Sequence, residues 1–136
     1  MLKLTFLSVE QVIRIHDVQL EVNGGGMPGI RDLNLLESAV FAPKATLGTK
    51  FLHKDIFAMA AAYFFSLAKN HPFNDGNKRT AVSATATFLL LNGTVLEVDD
   101  DELVDFAVWV ASEEVANQDI AEFLKEHAFP EDVDSD

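Results

Sequence analysis

Along most of this chain apolar residues recur at helical rather than strand spacing, and the places where helices start and stop are written in local chemistry. Ser8 with Gln11 forms a capping box opening a helix through Val9, Val12, Ile13, His16 and Leu20, which Asn23 and the Gly24-Gly25-Gly26 run break. Asp32 reads as the N-cap of a short helix with Leu33, Leu36, Ala39 and Val40 on one side, ending before Pro43. Asp55 starts the most apolar helix, Ile56 to Lys69, whose apolar residues surround it nearly completely, so it belongs at the centre. A second core helix runs from about Asn77 to Asn92, stopped by Gly93, and Ala81, Ser83, Ala84 and Ala86 let a neighbouring helix come close. Asp99 with Glu102 opens a helix through Leu103, Phe106, Val110 and Ala111, where Trp109 is expected in the core. Asn117 caps a last helix ending near His127. The expected fold is all-α, a bundle of about six helices, with an exposed loop over Lys44 to His53 and a short extended piece at Thr94 to Val98.

At 136 residues, 49% hydrophobic and 24% charged, the chain fits one globular domain over residues 1–130. Four acids among residues 131–136 read as an acidic, disordered tail. With no cysteine there is neither a disulfide framework nor a thiolate zinc site, in keeping with a cytoplasmic setting. No signal peptide is read at the N-terminus, and the uncharged stretch Ile56 to Ala68 interrupted by no charge is too short for a membrane span. A net charge of −12 argues against nucleic acid as a direct partner. The charge is uneven: Ser38 to Thr80 holds six bases against two acids. Such a segment can draw a small polyanion, and it is also the kind of fluctuation any sequence shows.

The join between the two core helices holds more chemistry than a turn requires. His71-Pro72-Phe73-Asn74-Asp75-Gly76-Asn77-Lys78-Arg79-Thr80 packs an imidazole, a carboxylate, a carboxamide, an ammonium and a guanidinium together. Pro72 and Gly76 keep its first half out of regular helix, and Phe73 is either the buried anchor of the loop or an ordinary hydrophobic plug. The second half opens a helix, whose first amides lack internal partners at the positive end of the dipole. Gly76 allows close approach, Asn77 adds donors, Lys78 a compact charge and Arg79 a planar fork suited to phosphate. Asp75 beside phosphate calls for a cation between them, the role Mg²⁺ fills with one or two carboxylates. His71 can accept a proton from a hydroxyl at cellular pH. Asp75 and Asn77 also fit the plainer use of capping the next helix. Gly24 to Gly29 is no P-loop, and His16, His53 and His127 have no ligand-spaced partners and read as structural or solvent-facing.

These ten residues closely resemble the Fic-fold signature His-x-Phe-x-[Asp/Glu]-Gly-Asn-x-Arg. The short length, Gly25 to Asp32, Leu35 to Ala39 and Asn77-Lys78-Arg79-Thr80 resemble the death-on-curing (Doc) branch, toxins of type II toxin–antitoxin modules, and the likeness runs from Ser8 to about Leu124. The resemblance implies a compact Fic-type helical bundle with the motif between its two central helices. Most Fic enzymes transfer AMP, with glycine where this chain has Lys78 and a further arginine where it has Val82. Doc-like proteins share the lysine, and the resemblance implies a protein kinase passing the ATP γ-phosphate to a threonine of elongation factor Tu. Carried over, His71 deprotonates the hydroxyl, Asp75 holds Mg²⁺, and Gly76, Asn77, Lys78 and Arg79 bind the phosphates of ATP. By the same resemblance Lys50 and Lys54 lie in a flap that meets the protein substrate. No [Ser/Thr]-x-x-x-Glu-[Gly/Asn] self-inhibitory motif occurs, so restraint is expected from a cognate antitoxin. AMP transfer and a catalytically silent antitoxin binder are the alternatives.

Overall fold

The computed structural model describes residues 3–131. Six helices carry the fold: α1 (Val9–Val22), α2 (Leu33–Phe41), α3 (Ile56–Asn70), α4 (Asn77–Leu91), α5 (Asp100–Ser112) and α6 (Asn117–Glu126). Two antiparallel ribbons accompany them, β1 (Thr46–Leu47) with β2 (Lys50–Phe51) and β3 (Thr94–Leu96) with β4 (Ala128–Pro130). The acidic tail from residue 132 onward lies outside the described residues.

Local chemistry starts the first three helices as expected. Ser8 and Gln11 exchange side-chain-to-backbone hydrogen bonds of 3.1 and 2.8 Å, completing the capping box of α1. The carboxylates of Asp32 and Asp55 accept from the Leu35 and Ala58 amides at 3.1 and 2.8 Å. Two later expectations need correction. Asp99 holds the cap position of α5 without a side-chain bond, and the acids Asp100, Asp101 and Glu102 meet the helix dipole instead. Asn117 is the first residue of α6, and Ala116 sits at the cap.

The core is built around α3. Met59 to Phe64, Leu67 and Ala68 are buried, so this helix is enclosed on nearly every side. It packs most extensively on α4 and next on α6. Ala81 and Ala84 allow the close α3–α4 approach, while Phe88 and Leu89 fill the space beyond them. Each such large side chain, removed from water, contributes on the order of 1.5–3 kcal/mol. The Tyr63 hydroxyl accepts the Leu7 amide hydrogen at 2.9 Å, fastening the segment before α1 to the central helix.

Trp109 is not a core residue: 44% of it is exposed. The inner face of α5 is Leu103, Ala107 and Val110, and Trp109 falls off that stripe, with its ring 5.5 Å from Phe106. The segment Lys44 to His53 is exposed as expected but not irregular; Thr46 pairs with Phe51 and Leu47 with Lys50 across a tight turn at Gly48. The extended piece after Gly93 forms β3, whose partner β4 comes from the far end of the chain. No helix among the described residues is long and apolar enough to cross a membrane.

Candidate active site

The loop between α3 and α4 is held by the segment that joins α1 to α2. His71 ends α3 in the left-handed region, φ 51° and ψ 60°, the only described non-glycine residue with positive φ. Arg31 secures it by donating from Nε to the His71 carbonyl at 2.6 Å and from Nη2 to the Asn70 carbonyl at 2.9 Å. A guanidinium at a helix C-terminus satisfies orphan carbonyls and complements the negative end of the dipole. The Pro72 carbonyl accepts the Arg31 and Asp32 amides at 2.8 and 3.0 Å. Asn74 completes the seam, its amide reaching the Gly29 carbonyl at 3.1 Å and its Nδ2 the Pro28 carbonyl at 3.0 Å.

Inside the loop, Phe73 is the anchor, 1% exposed. Asn77 is buried beside it and clasps its backbone: Oδ1 accepts the Phe73 amide at 2.9 Å and Nδ2 donates to the Phe73 carbonyl at 3.0 Å. The His16 ring from α1 lies flat on Phe73, centroids 3.8 Å apart and planes 6° from parallel. Its Nε2 donates to the Asp75 carbonyl at 2.7 Å. Gly76 follows with φ +77°, and a Cβ there would stand 3.1 Å from Leu20 Cδ2. The glycine therefore meets both a conformational and a spatial demand. The Asp75 carboxylate, exposed, accepts the Gly76 amide at 2.9 Å through Oδ1 and the Met27 amide at 3.3 Å through Oδ2.

Beyond Gly76, α4 opens with no side-chain cap and with Lys78 and Arg79 in its first turn. Basic side chains at the positive end of a helix are unfavourable there unless an anion joins them. A cleft of about 290 Å³ gathers Asp75, Gly76, Asn77, Lys78 and Arg79 against Gln19, Leu20 and Asn23 of the α1 end. A neighbouring cleft of about 360 Å³ shares Arg79 and runs on past Val82 toward Leu96 and Leu103. His71 lies outside both linings, at the start of the loop. Its pKa is nonetheless lowered from the ordinary imidazole value of 6.5, by desolvation first and then by the positive charges of Lys78 and Arg31. It is thereby kept in the neutral form that accepts a proton.

Of the sequence-derived residues, Asp75, Gly76, Asn77, Lys78 and Arg79 share one cleft, while His71 stands at the start of the loop and Lys50 and Lys54 lie on and beside the β1–β2 ribbon. Asp75, Lys78 and Arg79 bring charged groups to the cleft, while the Asn77 side chain is committed to Phe73. Two residues at the site escaped the sequence reading. Arg31 and His16 reach it across separations of 40 and 59 residues, and no spacing rule carries that far. Among the described residues no three His, Cys, Asp or Glu side chains gather to hold a metal. A single exposed carboxylate beside an anion site fits Mg²⁺ brought in on a polyphosphate, since that ion keeps most of its water and phosphate ligands.

The sequence of this chain is similar to those of known proteins. The Fic/DOC family model matches residues 6–89, which holds α1 to α3, the whole loop and α4 as far as Leu89. "Protein kinase doc" of Escherichia phage P1 is 34% identical over 119 residues, 88% of this chain and 92% of that protein. "Toxin Doc" of Mycolicibacterium smegmatis is 46% identical over 77 residues, 57% of this chain and 59% of that one. With six helices, the motif loop between the central pair, and these matches, the chain belongs to the Doc branch of the Fic/DOC family.

Proposed function

We propose that this protein is a Doc-type toxin: a cytoplasmic protein kinase that moves the γ-phosphate of ATP to a threonine hydroxyl of elongation factor Tu, stopping translation until a cognate antitoxin restrains it. One observation carries the reading. An uncapped, lysine- and arginine-bearing helix start shares one loop with an imidazole whose pKa is lowered by burial and by the charge of Lys78.

The chemistry asks little covalent work of the protein, since phosphoryl transfer is catalysed mostly by positioning and charge. In this reading the α4 amides and Arg79 bind phosphate oxygens, Lys78 neutralises the charge that builds during transfer, and His71 takes the proton from the acceptor hydroxyl. Asp75 is the residue to hold Mg²⁺, which supplies further charge neutralisation when bound. Support for phosphate over AMP transfer comes from Lys78 and Val82. A lysine side chain occupies the position of an expected glycine, and past Arg79 the adjoining cleft is walled by Val82, with no second guanidinium in its lining.

The test supplies ATP labelled at the α or the γ position to the purified protein in a translation extract. The expected result is label on elongation factor Tu from γ alone, abolished in His71→Ala. Label from α assigns AMP transfer instead. No transfer from either, with wild type and His71→Ala equally harmless to cells, assigns a silent antitoxin binder.

A further inference from the structure

His16 plays no part in the chemistry above, yet it is 1% exposed and touches three consecutive features of the motif. Its ring faces Phe73, its Nε2 holds the Asp75 carbonyl, and it lies under Gly76, where a Cβ would be 3.6 Å from both Cδ2 and Nε2. A carbonyl oxygen only accepts, so Nε2 carries hydrogen. Nδ1 points away, 3.6 Å from the largely exposed Asp17 carboxylate.

The bond to Asp75 acts on a rigid unit. A trans peptide is planar, with its carbonyl and its N–H directed oppositely. Tying the Asp75 carbonyl to α1 therefore turns the Gly76 N–H to the other side, and there it meets Asp75 Oδ1 at 2.9 Å. One imidazole thus sets the plane whose far edge fixes the carboxylate. Gly76, free of a side chain at φ +77°, gives that plane no preference of its own. The stack on Phe73 keeps the imidazole from rotating away, and the Met27 amide is the only other partner of the carboxylate among the described residues.

We propose that His16 is a positioning residue, acting through the Asp75–Gly76 peptide plane to aim the Asp75 carboxylate. Its importance for magnesium rests on the proposed role of Asp75 as the metal-holding residue. Partners that orient a metal ligand typically matter by 10–100-fold in affinity.

Two variants separate the donor from the ring. His16→Phe keeps the stack and loses the donor; His16→Gln keeps a donor and loses the stack. The first readout needs no turnover: the Gly76 amide resonance and its hydrogen exchange. Both are expected to change in His16→Phe and to return toward wild type in His16→Gln, with both variants folded by circular dichroism. The second readout is Mg²⁺ titration in the presence of ATP, followed by calorimetry. About a 10-fold weakening is expected in His16→Phe and a smaller loss in His16→Gln. A Gly76 signal that is the same in wild type and both variants overturns the proposal and leaves His16 as core filling. If Asp75→Asn binds Mg²⁺ and ATP as wild type does, the metal reading falls separately, and the amide signal alone decides the role of His16.

Discussion

The two central helices begin in opposite ways. At the start of α3, Asp55 closes the helix with a 2.8 Å bond to the Ala58 amide, and the dipole meets a carboxylate. At the start of α4, Gly76 brings no side chain, and the first turn holds Lys78 and Arg79. Both helices are buried and packed on each other, so packing does not account for the contrast. The first end is complete within the chain. The second is left short of negative charge, which in the proposed reading a phosphate group supplies.

That contrast can be broken from either side. The largest effect is expected for Arg79→Met, about a 10²-fold loss of γ-phosphate transfer as an oriented donor is removed, with thermal unfolding close to wild type. If transfer survives, the open end of α4 is not where phosphate binds. Next in size is Asp55→Ala, which costs about 1 kcal/mol in urea unfolding and leaves transfer per folded molecule unchanged. Lys78→Glu sharpens the comparison by making α4 resemble α3: a gain of roughly 0.3–1 kcal/mol in stability is expected together with loss of transfer. Loss of both together would contradict the electrostatic account. The smallest effect concerns pH. Because burial, and then the charges of Lys78 and Arg31, lower the His71 pKa from the ordinary imidazole value, the acid limb of transfer should lie below that of a free imidazole. Arg31→Gln removes one of the positive charges responsible, so the acid limb of its kcat/KM profile should move upward.

How much of this was legible beforehand follows the range of each interaction. Ser8, Asp32 and Asp55 bond within three residues of themselves, and their helices start where the sequence indicates. The motif loop and the burial of Phe73 were readable for the same reason, since one segment holds all the residues that define them. The pairings that hold the loop were not: Arg31 to the His71 carbonyl and His16 to the Asp75 carbonyl depend on how α1 and α2 fold back. Trp109 misled because a helical stripe one position wide does not say which edge faces inward. The ribbons were missed at β1, β2 and β4 because strands of two or three residues are too short to show alternation.

The backbone of His71 has a further consequence. A helix that ends in a left-handed residue favours glycine there, and any residue with a Cβ gives up roughly 1–2 kcal/mol. His71→Gly would relax the loop and remove the proposed base in the same stroke. Selection for a sturdier fold and selection for a working toxin therefore pull this one codon apart. The two bonds from Arg31 to the His71 and Asn70 carbonyls are what hold that strained backbone in place.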